Sequence, residues 1–248
     1  MKVEAKLRLK DKVALITGSS RGIGEYIARA YAREGAKVII TYNKNKESAE
    51  KIAKEIDAPL CLHLDVKDSS SIKKAYEEVV EKVGKINILV CNAGINITND
   101  YDKLEEADFQ EVIDVDLTGV WRCTKEVLPF ISDSGRIITI GSLSGEYGGP
   151  RTPSYAAAKA GVEALTQCLA RYVAHRKITV NCLSPGVIAS DLTEESMSQG
   201  VKDVVNSLVL LKRFGKYSEL EEPAIFLASD GSSYMTAQTL SINGGAWW

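Results

Sequence analysis

Seven short apolar runs, spaced along 248 residues, restrict the chain more than any other feature. They are Val13–Thr17, Lys37–Thr41, Leu60–Leu64, Ile88–Cys91, Arg136–Ile140, Thr179–Leu183 and Thr239–Ile242, and helix-patterned sequence lies between them. The first three helices are expected at about Gly22–Glu34, Ser48–Ile56 and Ser70–Val83. Strands that are apolar throughout, rather than alternating, are covered on both faces, and helical crossovers between them make the sheet parallel. The pattern predicts an α/β fold, a doubly wound seven-stranded parallel sheet with helices on both faces. No Pro/Ser-rich linker, internal repeat or low-complexity stretch divides the chain, so residues 1–248 read as a single domain. In such sheets ligands bind at the carboxyl ends of the strands, where the strand order reverses.

The first such end carries Thr17-Gly18-Ser19-Ser20-Arg21-Gly22-Ile23-Gly24, directly before the first helix. Glycines allow a tight turn and close approach to a pyrophosphate, and the helix N-terminus favours its charge. The spacing is G-x-x-x-G-x-G, and a plain structural turn would need glycines too. The second strand runs into Thr41-Tyr42-Asn43-Lys44, without an acid to hold a ribose 2′-hydroxyl. Arg21 and Lys44 can neutralise a 2′-phosphate, which favours NADP over NAD unless both are merely solvated. The third strand ends at Asp65-Val66 and the fourth at Asn92-Ala93-Gly94; the acid can accept from an adenine amino group, and the small residues let a ligand lie close.

Further along, Ser142 precedes Tyr155, which stands four residues before Lys159. The alanines between them argue for a helix that projects phenol and ammonium from one face. An unperturbed tyrosine has a pKa of about 10, and a nearby cation favours its phenolate, which suits a general acid and base. By itself the signal is weak, since most helical Tyr/Lys pairs are solvated surface neighbours.

Taken in order, Thr17-Gly18…Gly22-Ile23-Gly24, Asn92-Ala93-Gly94, Ser142, Tyr155…Lys159 and Pro185-Gly186 resemble the short-chain dehydrogenase/reductase family over nearly the whole chain. Phe226–Asp230 through Asn243-Gly244-Gly245 resembles the branch containing 3-oxoacyl-acyl-carrier-protein reductases. The resemblance implies a Rossmann-type fold and NADP(H)-dependent hydride transfer between nicotinamide and a carbonyl or secondary alcohol. Ser142 would hold the carbonyl oxygen, Tyr155 would donate the proton, and Lys159 would support the phenolate and hold the nicotinamide ribose. Asp65 and Asn92 would contact the adenosine half, and Pro185, Gly186, Ile188 and Ser190 would fix the carboxamide. Ser190 replaces a usual threonine and keeps the hydroxyl. Asp116 stands where the family has an asparagine, and its carboxylate would add a negative charge near Lys159 and partly offset that lysine's pull on Tyr155.

The resemblance also implies a substrate lid at about 191–217, with a helical patch at Val201–Leu211, whose apolar run Leu208–Leu211 either lines an acyl channel or packs on the body. Carbonyl and acyl thioester substrates are expected, with acyl carrier protein as a candidate partner. Arg176 matches one of two carrier-docking arginines, but Asp133 occupies the place of the other. A sugar or secondary-alcohol dehydrogenase is the alternative within the family; a non-catalytic NADP-binding sensor is the alternative outside it. The family usually forms tetramers, and burial of Trp247 or Trp248 at a homotetramer interface is expected, the alternative being a frayed terminus with exposed rings.

Composition narrows the remaining classes. A formal charge of −2, with 45% hydrophobic and 26% charged residues, fits an ordinary globular chain and gives no footprint for nucleic acid or anionic membrane. No signal peptide or membrane span is readable, so a cytoplasmic location is expected. The scattered Cys61, Cys91, Cys123, Cys168 and Cys182 suggest free thiols and no metal site. His63 and His175 suggest no role, and Ser142 lacks the elbow of a hydrolase nucleophile.

Overall fold

A computed structural model describes residues 7–149, 151–189 and 199–246. Its main sheet contains seven strands, all paired in parallel. These are β1 (Val13–Ile16), β2 (Lys37–Tyr42), β3 (Leu60–His63), β4 (Ile86–Cys91), β5 (Ile131–Ile140), β6 (Thr179–Pro185) and, at the far edge, β9 (Thr239–Ile242). The spatial order is β3-β2-β1-β4-β5-β6-β9, so the chain winds outward from β1, returns, and winds the other way from β4. The reversal opens a crevice between the carboxyl ends of β1 and β4.

Strand periodicity places alternate residues on opposite faces. Val13 and Leu15 therefore join one buried cluster, with Ile72, Tyr76 and Val162, while Ala14 and Ile16 join another, with Ile27, Tyr31 and Leu227. Helices α3 (Ser69–Lys82), α5 (Gly119–Val127) and α7 (Pro153–Val173) cover the first face. The second face is covered by α1 (Gly22–Arg33), α2 (Lys46–Glu55) and, later in the chain, α9 (Glu221–Ala228). Between β4 and β5, α4 (Glu106–Ile113) leads into α5 through a wide π turn, Asp114–Thr118. The short α6 (Leu143–Tyr147) follows β5.

Three features depart from the expected elements. Strand β5 begins at Ile131, before Arg136, because Ile131 pairs with Ile86 and the register then shifts to Arg136 opposite Ile88. The residues between bulge outward, and Asn87 pins them by donating from Nδ2 to Ser132 Oγ at 2.9 Å. The helical patch runs as α8 (Gln199–Leu208) and stops before Leu211. Beyond it Val209 is buried with Val205, Phe214 and Ala246, while Leu210 and Leu211 are exposed, so the run divides between packing and solvent. An unexpected two-stranded ribbon pairs β7 (Ile188–Ala189) with β8 (Gly215–Lys216). The first part of the expected lid, 191–198, together with Ser190, Trp247 and Trp248, lies outside the described residues.

Candidate active site

The glycine loop is held open by side chains from three strand ends. Thr17 Oγ1 accepts from the backbone N–H groups of Asn92 and Ala93 at 2.9 and 3.0 Å, which joins β1 to β4. Thr41 Oγ1 accepts from Gly18 N at 3.1 Å and donates to Ile16 O at 2.9 Å. The Ser19 hydroxyl points away from the crevice and accepts from Thr41 N at 2.9 Å, so this residue fixes the loop from behind. Ser48 donates to Ser20 O at 2.8 Å. Gly18 has φ +65°, and a β-carbon there would stand 3.0 Å from Ala93 Cα; the loop fits only because that carbon is missing.

Asn92 has a structural part besides the expected one. Its Nδ2 donates to the carbonyls of Thr17 and Gly18 at 3.0 and 3.1 Å, so the amide nitrogen braces the loop while the residue lines the cleft. Val66 is buried in the core and packs against Gly119. Half-buried Asp65 uses Oδ1 to accept from Lys67 N at 2.9 Å, and Asn43 and Lys44 are exposed just beyond β2.

A cleft of about 480 Å³ occupies the crevice. Gly18, Arg21, Gly22, Ile23 and Asn92 form one wall. Ser142, Tyr155, Pro185, Gly186 and Ile188 form the other. The structure thus unites the two motifs that are far apart in the chain. Ser142 begins α6, where its Oγ accepts from Ser144 N at 3.1 Å. Tyr155 lies in the first turn of α7, which Pro153 opens with its preset φ.

Lys159 is buried one helical turn beyond Tyr155. Its Nζ donates to Ile140 O at 3.0 Å and lies 5.4 Å from the Tyr155 ring centre. Asp116, wholly buried in the π turn, brings Oδ2 to 3.3 Å from the same Nζ. Its Oδ1 accepts from Ile95 N at 2.8 Å. Gly94 leaves room for this carboxylate, since a β-carbon there would stand 2.8 Å from Oδ2. Burial pushes the Asp116 pKa up; attraction to Lys159 and the Ile95 N–H offset only part of that. Burial likewise pushes the Cys182 thiol up to about 11, so it is no ready nucleophile. Among the described residues no cluster of three His, Cys, Asp or Glu is placed to hold a metal, and no helix is long and apolar enough to cross a membrane.

Sequence reasoning did not assign roles to Thr17, Thr41, Ser48 or Tyr217. The hydroxyls give no signal until the strands are in register, and Tyr217 reaches the cleft wall only through the ribbon that carries it.

The fold and cleft define a class: a doubly wound dinucleotide-type crevice with a buried lysine behind a tyrosine. Comparison with known proteins narrows it. A family model described as enoyl-(acyl carrier protein) reductase matches residues 18–246. A 3-oxoacyl-[acyl-carrier-protein] reductase of Staphylococcus epidermidis is 40% identical over 241 residues, covering 95% of this chain and 98% of the relative. The enzyme of that name from Thermotoga maritima is 39% identical over 247 residues, covering 96% and 99%. Among solved structures, a gluconate 5-dehydrogenase from Burkholderia cenocepacia in complex with NADP and tartrate superposes with a TM-score of 0.90 at 33% identity, covering 97% of each chain. A blue fluorescent protein from a metagenomic library in complex with NADPH gives 0.90 at 28% identity, covering 97% of this chain and 100% of its own. The chain belongs to the short-chain dehydrogenase/reductase family. It is an NAD(P)-dependent oxidoreductase acting on CH–OH or C=O groups.

Proposed function

We propose that the protein is an NADPH-dependent carbonyl reductase acting on 3-oxoacyl thioesters, like the relatives whose names carry that activity. The observation that carries this reading is that Ser142 and Tyr155 line the same cleft as the glycine loop, with buried Lys159 behind them. The loop fits a pyrophosphate: its first helical N–H groups have no partners within α1, and glycines leave the backbone bare. Arg21, Asn43 and Lys44 would hold the 2′-phosphate; Asp65, Ala93 and Gly94 would border the adenosine half; Pro185, Gly186 and Ile188 would border the nicotinamide.

NADPH, when bound, supplies the hydride. Ser142 accepts the substrate on its lip of the cleft and holds the carbonyl oxygen through its hydroxyl. Tyr155 gives that oxygen its phenolic proton. Lys159 keeps positive charge against the phenolate that results, and Asp116 holds the ammonium in place through Oδ2 while fixing the loop after β4 through Oδ1. A homotetramer, as the family resemblance implies, is the proposed working assembly, which sedimentation would test.

One observation favours the alternative of a sugar or secondary-alcohol dehydrogenase. Arg176, expected to meet an acidic carrier, spends its Nε on Asp133 at 2.8 Å and its other nitrogens on the carbonyls of Leu128 and Ile131. A panel of acetoacetyl and crotonyl thioesters, diketones, aldehydes and sugars, run with NADPH and with NADH, decides between them. Reduction of the acetoacetyl thioester with NADPH is expected. Rates confined to sugars displace the acyl reading, and exclusive use of NADH removes the 2′-phosphate argument. Tyr155→Phe is expected to lower kcat by roughly 10²–10⁴ with cofactor binding retained.

A further inference from the structure

We propose that Tyr217 is a cofactor-contacting residue whose hydroxyl donates to the pyrophosphate at the start of α1. The inference rests on the dinucleotide reading of the cleft and adds a donor that the glycine motif does not contain.

Tyr217 lines the cleft beside Arg21, Gly22 and Ile23. Its ring stacks on Tyr26, in the second turn of α1, with centres 5.1 Å apart and planes 28° from parallel. The hydroxyl faces Gly22: a β-carbon on that glycine would lie 4.0 Å from Tyr217 Oη, and apart from the adjoining residues and the helix's own backbone no other atom approaches within that distance. Gly22 has φ +58° and no side chain, so the space between the phenol and the helix N-terminus is left to a ligand.

The chain on both sides of Tyr217 is tied down. Lys216 pairs with Ala189 in the ribbon, and Glu219 Oε2 accepts from Lys216 N at 2.9 Å. Arg213 clasps the same carboxylate with two bonds of 2.7 Å. A ring held by stacking and by a fixed backbone gives up little conformational freedom when a ligand arrives. Its hydroxyl points toward the start of α1, where the first N–H groups, unpaired within the helix, favour negative charge. A neutral O–H that donates to a phosphate oxygen makes a charge-assisted bond, stronger than a bond between neutral groups.

Stacking alone would also explain a tyrosine here, and the two roles separate cleanly. Tyr217→Phe keeps the ring and removes only the hydroxyl. Full-length wild type and variant would be melted without cofactor and then titrated calorimetrically with NADP⁺. Unchanged melting with a Kd raised about tenfold, the loss of one hydrogen bond to a charged group, is the expected result. A variant Kd within about twofold of wild type overturns the contact and leaves Tyr217 a packing residue. Failure of the wild type to bind NADP⁺ would instead overturn the cofactor reading on which the contact rests.

Discussion

Asp116 and Asp133 each face a cation, Lys159 Nζ at 3.3 Å and Arg176 Nε at 2.8 Å, yet their surroundings push them in opposite directions. Asp116 and Lys159 have side-chain exposures of 0% and 4%; the Asp133 side chain is 74% exposed. For Asp116 the loss of water outweighs the attraction of Lys159, and its pKa rises. For Asp133 the hydrogen bond from Arg176 prevails over a small burial effect, and its pKa falls. The same two charges therefore make a buried cost in one place and a solvated convenience in the other. The shorter pair is the less consequential, because water around it screens and replaces the contact.

The largest effect should come from breaking the buried pair. Asp116→Ala leaves the buried Lys159 ammonium with the Ile140 carbonyl as its acceptor among the described residues. Removing one member of a buried pair costs about 3–5 kcal/mol, which in a chain of this size lowers the melting temperature by on the order of 10 °C. A fall of under about 3 °C would show that Asp116 is much better solvated than its burial implies.

Asp116→Asn keeps the shape and removes the charge, so it tests linkage. The folded protein holds the Asp116 proton more tightly than the unfolded chain does. As pH rises from the ordinary aspartate range toward the raised value, the unfolded chain ionises first and the native state loses stability. The stability of wild type minus Asp116→Asn should therefore fall with rising pH across that window; a flat difference refutes the raised pKa. The pH–rate profile should also move toward acid in Asp116→Asn, because a carboxylate that offsets the Lys159 charge is gone. If both rate and profile are unchanged, the charge effect is wrong.

How much of this was legible in the sequence follows from range. The strands and glycine loop could be read because apolar runs and turn residues are local signals, and Ser142, Tyr155 and Lys159 because their spacing recurs in a known family. Asp116 was visible as a departure in type, but its second hydrogen bond, to Ile95 N, depends on packing a π turn against a loop 21 residues away in sequence. That the Asn92 amide also braces the loop is not readable, because only the register of β1 against β4 brings the Thr17 and Gly18 carbonyls to it. The bulge that presents Asp133 was likewise invisible, since a register shift is a property of two strands and not of one.

The smallest effects belong to the surface pair, and there the two partners should not be equal. Arg176→Ala removes donors from the Leu128 and Ile131 carbonyls, which sit where α5 gives way to β5, and should cost about 1–2 kcal/mol. Asp133→Asn removes only a solvated charge, and its melting temperature should match wild type within about a degree. The same substitution frees the Arg176 fork of its exposed counter-charge. If an acidic carrier docks near it, KM for a carrier-bound thioester should fall while KM for the free thioester stays constant, and raised salt should erase the difference. Equal KM values before and after the substitution would place carrier recognition elsewhere or remove it, leaving the free carbonyl compound as the substrate that the cleft selects.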